Sequence, residues 1–300
     1  MNYSDILTVS WKRLWQEKVL LLFGLIPILP ILLLFSGLTV WALVISEAQL
    51  HDFFNSFDQP VPPVGFFVVI GFIFLASIIS VLLTPLGWTA IAKGTVDLDT
   101  GKSGLTFSSL LSDTMPFFGR AFGILLLIWF GYFFLFGGIM FLMAMFGILT
   151  AGLGFLCMLP LMLLIYPLML VIMAGLFMSI AAVPADDLPF GETLERVWGL
   201  LKSNFWPLML MSFILYMFQM VVGFISTIPM FIGQFLFPFL LSANPSSDLA
   251  IFRIFSGFFL IVMILSFLGS AISMTYNQVA WTVTYLNLGG KHLKPQNKIQ

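Results

Sequence analysis

The chain has 300 residues, 60% of them hydrophobic and 8% charged, with a mean hydropathy of +1.09 and a formal net charge of −1. So little polar surface cannot cover a water-exposed globule, which excludes a soluble domain, and the lack of a basic excess excludes nucleic acid as a partner. What remains is a single-domain, all-α integral membrane protein, because no polar stretch is long enough to fold separately.

Residues 3–18 form a first amphipathic segment carrying Trp11, Arg13 and Trp15. The uncharged run 19–46 is long enough to cross the ~30 Å hydrocarbon core and is the first span. It far exceeds the roughly 7 to 15 apolar residues of a secretory signal core, so it reads as a retained anchor. Pro27 and Pro30 predict a kink in it. Glu47 to Gly65 reads as a polar connection ending in the breaker run Gln59, Pro60, Val61, Pro62, Pro63. A second span covers 66–92, and Lys93 to Gly104 reads as a turn-rich loop. Residues 105–120 form a second amphipathic segment with Phe107, Leu110, Leu111, Met115 and Phe118, interrupted by Pro116.

From Ala121 to Ala185 there is no charged residue, too long a run for one helix, and Thr150 to Gly154 supplies the turn between spans 121–149 and 153–183. A third amphipathic helix, 189–203, follows. Phe190, Leu194, Val197, Trp198, Leu201 and Phe205 recur on one face at the 3.6 period, with Glu192, Glu195, Arg196 and Lys202 elsewhere around the axis. Spans 204–231, which begins with Trp206 near its edge, and 254–283 complete six transmembrane helices; Pro238 and the loop Ser242 to Asp248 separate them. Six spans put both termini on one side. Every Lys and Arg except Arg253 falls on that side, so the positive-inside rule predicts cytoplasmic termini in a bacterial inner membrane.

Laying Ser10 to Trp15 over Thr193 to Trp198 superposes Arg13 on Arg196 and Trp15 on Trp198; Phe107 and Leu111 align with Phe190 and Leu194. Each copy precedes a helical hairpin, so the plan reads as three repeats of interfacial amphipathic helix plus hairpin. Trp11, Trp15, Trp198 and Trp206, with Arg13 and Arg196, are the predicted interfacial anchors, placing indoles and cations at the headgroup level.

Chemistry-bearing residues are sparse. The six predicted spans contain no Asp, Glu, Lys, Arg or His, the groups on which coupled carriers and intramembrane enzymes rely. His51 and His292 are far apart, and Cys157 is alone in an apolar run, so no metal, cofactor or catalytic set is expected. Asp97 and Asp99, like Asp186 and Asp187, read as solvated or helix-start charges. Gln219 is the candidate intramembrane polar contact, at a depth where an interhelical hydrogen bond is the ordinary use. Asn277 and Gln278 read as interfacial. The pairs Ala76 and Ser80, Gly175 and Ser179, Ser266 and Ser270 have the spacing that lets helices approach closely.

The stretch AAVPADDLPFGETLERVWGLLKSNFWPLML, Ala181 to Leu210, resembles the bacterial membrane domain fused to some glycerophosphoryl diester phosphodiesterases, and related free-standing polytopic proteins. The matching features are Pro184, Asp186, Asp187, Gly191, the helix to Lys202, and Phe205 and Trp206. The phosphodiesterase of that family is a separate barrel with a Glu, Asp and His metal set, for which this sequence has no counterpart. The uncharged spans and interfacial helices lead to the reading of a non-enzymatic scaffold or accessory protein in a membrane or envelope-lipid process. Its expected partners are membrane lipids, a membrane protein or a second copy of the chain. The alternative is a transporter or lipid-translocating protein for a lipophilic or neutral substrate, suggested by the internal repeat, proline-broken spans and 35 phenylalanines.

Overall fold

A computed structural model of the chain describes residues 1–55, 64–150, 153–243 and 248–289. Among these, every regular element is helical: α1 (Tyr3–Gln16), α2 (Val19–Leu25), α3 (Leu29–Val44), α4 (Glu47–Asn55), α5 (Val64–Asp99), α6 (Phe107–Leu149), α7 (Leu153–Asp186), α8 (Phe190–Ser203), α9 (Phe205–Ala243) and α10 (Asp248–Gly289). Stretches of α5, α6, α7, α9 and α10 are each long and apolar enough to cross a membrane, and α2 with α3 makes a sixth span if the bent pair counts as one. The protein is thus an all-α, multi-pass membrane protein. The pair is bent by 66° where Pro27 interrupts the backbone ladder and Pro30 starts the next helix, as the prolines predict.

Several boundaries differ from those read in the sequence. Lys93 to Asp99 is helical rather than a loop, because Lys93 pairs with Asp97 one turn on and Thr95 returns its hydroxyl to Ile91 O. The helix ends only where Gly101 takes φ 87° and Lys102 N–H reaches back to Asp97 O. The second amphipathic segment is not a separate helix; it is the start of the continuous α6, capped by the Thr106 hydroxyl on Ser109 N. Pro116 fails to break it because Ser112, whose carbonyl the proline leaves free, is on the exposed side where that oxygen can be solvated. The connection after the first span contains α4, α9 runs on to Ala243, and α10 spans 248–289 rather than 254–283. The breaker run 59–63, the turn residues 151 and 152, loop residues 244–247 and the tail with Lys291 and His292 lie outside the described residues, as do the side chains of His51 and Cys157.

The described chain divides into two compact units. The first comprises Met1–Phe23, Pro85–Met217 and residues 275–289. Its core is the ends of three spans: Trp88 to Ala92 of α5, Ala174 to Val183 of α7 and Tyr276 to Leu286 of α10 are almost continuously buried. α7 is central: most of its apolar stretch is buried, whereas most of that of α6 is not. α8 packs on α7, and Gly175 allows it, since a Cβ there would lie 3.1 Å from a Leu201 methyl.

The second unit comprises Gly24–Thr84 and Phe218–Met274. Here α9 and α10 approach through small residues. Ser266 Oγ donates to Ser226 O at 2.8 Å, and a Cβ on Gly269 would meet Ser226 Oγ at 2.5 Å. Arg253 donates to Ile45 O at 2.9 Å, closing the end of α3. Ala76 and Ser80 are buried as their spacing suggested.

Candidate functional site

In the first unit the three amphipathic segments carry a shared device. Ser10, Thr114 and Thr193 are fully buried, and each returns its hydroxyl to the carbonyl four residues earlier: Ile6 O, Leu110 O and Pro189 O, at 2.6, 2.6 and 2.9 Å. A small residue whose hydroxyl is satisfied within its own helix lets the segment lie against a span end with no polar group orphaned. By this criterion Thr114, not Leu110, stands opposite Thr193. That register is one helical turn from the one the apolar positions suggest.

The span ends share another pattern. An aromatic residue, then Ile or Val followed by Ala three and four residues on, then a hydrogen-bonding residue five further, reads Trp88, Ile91, Ala92, Asp97 in α5. It reads Phe177, Ile180, Ala181, Asp186 in α7 and Tyr276, Val279, Ala280, Tyr285 in α10. All are buried or nearly so except Asp186, whose carboxylate alone is enclosed. The aliphatic and alanine positions pack the three ends together; at the last position Asp97 holds Lys93 and Lys102, while Asp186 and Tyr285 face Arg196, one of the cations of the amphipathic segments.

Those cations tie the assembly. Arg13 reaches Asp99 at 2.5 Å and Thr95 O at 3.4 Å, joining α1 to α5. Arg120 donates to Asp187 at 2.7 Å and Leu188 O at 2.8 Å, joining α6 to the turn before α8. Arg196 lies 2.7 Å from Asp186 Oδ2, 3.0 Å from Tyr285 Oη and 3.1 Å from Gly289 O, joining α8 to α7 and α10. Its pKa is raised above the ordinary value; the Tyr285 hydrogen bond is the largest cause, the charge of Asp186 adds to it, and burial opposes it. Asp97, buried, holds both Lys93 and Lys102. Asp97, Asp99 and Asp186 are therefore not solvated charges, whereas Asp187 stays largely exposed. A carboxylate at the end of a span is stable when an Arg or Lys covers it, and here each one is covered.

The predicted anchors divide into two groups. Trp11, Trp15, Trp198 and Trp206 are exposed, with Lys202 over the Trp198 ring at 5.0 Å and Trp11 edge-on to both Trp15 and Tyr276. Arg13 and Arg196 turn inward to their carboxylates. The apolar face of α8 splits accordingly: Val197 and Leu201 meet protein, while Phe190 and Trp198 stay exposed. Gln219 is half-buried and, among the described residues, makes no side-chain hydrogen bond, so the expected interhelical contact is not formed.

Asn277 and Gln278 are not interfacial; both are buried in the core of the unit. Trp88 Nε1, Thr89 Oγ1, Asn277 Oδ1 and Gln278 Oε1 are enclosed with no hydrogen-bond partner among the described residues. Trp88 and Gln278 both border Phe177: the rings of Trp88 and Phe177 are 4.9 Å apart, and Gln278 Nε2 donates to Phe177 O at 3.4 Å. This neutral polar layer lies about 12 Å along α5 from Asp97, at ~1.5 Å per residue. Sequence reasoning missed it because it treated polar residues singly; the recurring aromatic, aliphatic and alanine spacing is the signal that marks Trp88, Phe177 and Tyr276 as equivalent positions beside it. Compared with protein-family models, curated proteins and solved structures, the chain matches none.

Proposed function

We propose that this chain is a non-enzymatic scaffold or accessory subunit in a membrane or envelope-lipid process of the bacterial inner membrane, with both termini cytoplasmic. The observation that carries this reading is the use of Arg13, Arg120 and Arg196 to bind amphipathic segments to span ends. These cations are engaged by the protein itself, while the exposed indoles beside them face outward. The matching buried hydroxyls and span-end patterns support three units of amphipathic segment plus hairpin. The likeness of Ala181 to Leu210 to the phosphodiesterase membrane domain supports a place in lipid handling. Its partners are membrane lipids together with a membrane protein or a second copy. The test is purification from native membranes in gentle detergent, with co-purifying proteins and lipids identified by mass spectrometry. A stoichiometric protein partner is expected. A chain that purifies alone and moves lipid or solute in liposomes overturns the reading.

The second reading, a translocator of a lipophilic or neutral substrate, is favoured by the polar layer at Trp88, Thr89, Asn277 and Gln278, unpartnered among the described residues. It requires flux in liposomes that falls when the layer is made apolar.

A further inference from the structure

We infer that Trp88, Thr89, Asn277 and Gln278 form a binding site for a neutral, hydroxyl-bearing molecule inside the first unit. Their relative exposures are 6, 0, 4 and 0%. Each orphaned atom is destabilising by itself, and native proteins keep few of them. Four in one compact unit, as two adjacent pairs on α5 and α10 of which Trp88 and Gln278 border Phe177, call for a common explanation.

The other buried hydroxyls nearby set the contrast. Thr95, Thr282 and Thr284 of α5 and α10 each return their hydrogen to the carbonyl four residues back. Thr89, on the same helix as Thr95, does not. Its hydroxyl is left for something other than its own backbone. Gln278 is equally constrained. Exchanging its amide oxygen and nitrogen would set the oxygen against Phe177 O, two acceptors facing each other, so the outward orphan is the oxygen.

The chemistry of the set defines the ligand. Asn277 Oδ1 and Gln278 Oε1 only accept, Trp88 Nε1 only donates, and Thr89 Oγ1 does either. None of the four carries a charge, so the set offers no counter-charge to an ion, which would be buried there uncompensated. A hydroxyl is the smallest group that donates to an amide oxygen while accepting from an indole. Two sources supply one: the free alcohol of a neutral lipid such as diacylglycerol, or water. The site is distinct from the ion pairs at the helix ends, so its failure leaves the scaffold reading, and the partner search that tests it, untouched.

The experiment uses the full chain in detergent. Wild type is compared with a Thr89→Val, Asn277→Leu, Gln278→Met variant and with Thr89→Val alone, the mildest change should the triple variant fold poorly. Two readouts are taken: the shift in unfolding temperature and lipid retention by native mass spectrometry with dioleoylglycerol or hydroxyl-free trioleoylglycerol, and radiolytic hydroxyl labelling of Trp88, which reports bound water. If the lipid alcohol is the ligand, only dioleoylglycerol raises the unfolding temperature of wild type, and retention falls about tenfold or more in the variants as the hydrogen bonds are removed. If water is the ligand, neither lipid acts, while Trp88 is labelled in wild type and protected in the variants. Wild type with neither a dioleoylglycerol shift nor Trp88 labelling overturns the site. In that case the apolar variants should be the more stable proteins, since replacing unpaired buried polar groups removes their desolvation cost.

Discussion

Tyr285 donates its phenolic hydrogen to Asp186 Oδ2 across 2.6 Å, and the same oxygen lies 2.7 Å from Arg196 Nε. Three helices thus meet on one carboxylate: α7 supplies it, α10 the phenol and α8 the guanidinium. Removing the phenol leaves the ion pair, whereas removing the carboxylate leaves a partly enclosed guanidinium facing only a phenol and a carbonyl. Tyr285→Phe should therefore cost about 1 to 2 kcal/mol and Asp186→Asn about 2 to 3 kcal/mol. Unfolding midpoints of the purified variants in detergent check the order. Equal, negligible effects would mean that α8 is held by its apolar contacts alone.

The raised pKa of Arg196 fixes the sign of its pH dependence. A cation whose folded pKa lies above the unfolded value stabilises fully at any pH below the unfolded value, and loses that contribution only as pH rises through the folded one. For arginine that window begins above about pH 12. The difference in unfolding midpoint between wild type and Arg196→Gln should therefore stay constant from about pH 7 to 10. Arg196→Lys should retain part of the stability, because one ammonium cannot reach Asp186, Tyr285 and Gly289 in the fork geometry of a guanidinium. A midpoint difference that shrinks across this range would assign the effect to another titrating group.

Much of the architecture was legible in the sequence because hydropathy and proline act locally. The uncharged runs gave the spans, Pro27 and Pro30 the break, and the 3.6 period of Phe190 to Leu201 the helix α8. The misplaced boundaries have one physical cause. Lys93, Asp97 and Asp99 look like loop residues by composition, yet they are helical because their charges are neutralised by one another and by Arg13, across a long sequence separation. The same separation hid the candidate site. Asn277 and Gln278 acquire their meaning only when Phe177 and Trp88 are brought beside them. Gln219 stands alone in an apolar run, and among the described residues that isolation leaves its side chain without a hydrogen bond.

Asp187 supplies a local test. It adopts φ 52°, a left-handed conformation that costs an ordinary L-residue roughly 1 to 2 kcal/mol and that Asp and Asn tolerate better. It also pairs with Arg120 while remaining largely exposed. Backbone and charge therefore pull apart on substitution. Asp187→Gly should relieve the backbone and lose a weak surface pair, for little net change, whereas Asp187→Ala should lose about 1 kcal/mol or more. Asp187→Asn should fall between them or match wild type. Should Gly and Ala lower the unfolding midpoint equally, the Arg120 pair would outweigh the turn geometry.

Gly94 tests how closely the amphipathic segments approach the span ends. A Cβ at this position would lie 2.6 Å from a Leu20 methyl, 3.2 Å from Leu110 and 3.3 Å from Leu105. Leu20 and Leu110 are themselves fully buried, so neither methyl has free space into which to move. The glycine is therefore the point at which α2 and α6 close on α5. Gly94→Ala should destabilise by about 1 to 3 kcal/mol through overpacking, in spite of the better helix propensity of alanine. Gly223 in α9 is the control: a Cβ there meets nothing within 4 Å. Gly223→Ala should be neutral or raise stability by up to about 1 kcal/mol, the ordinary helix preference. The two substitutions are chemically identical, so opposite signs in unfolding midpoint can come only from the space around each glycine. Equal signs would show that the contacts at Leu20 and Leu110 relax freely, and that this packing does not set the register of the amphipathic segments.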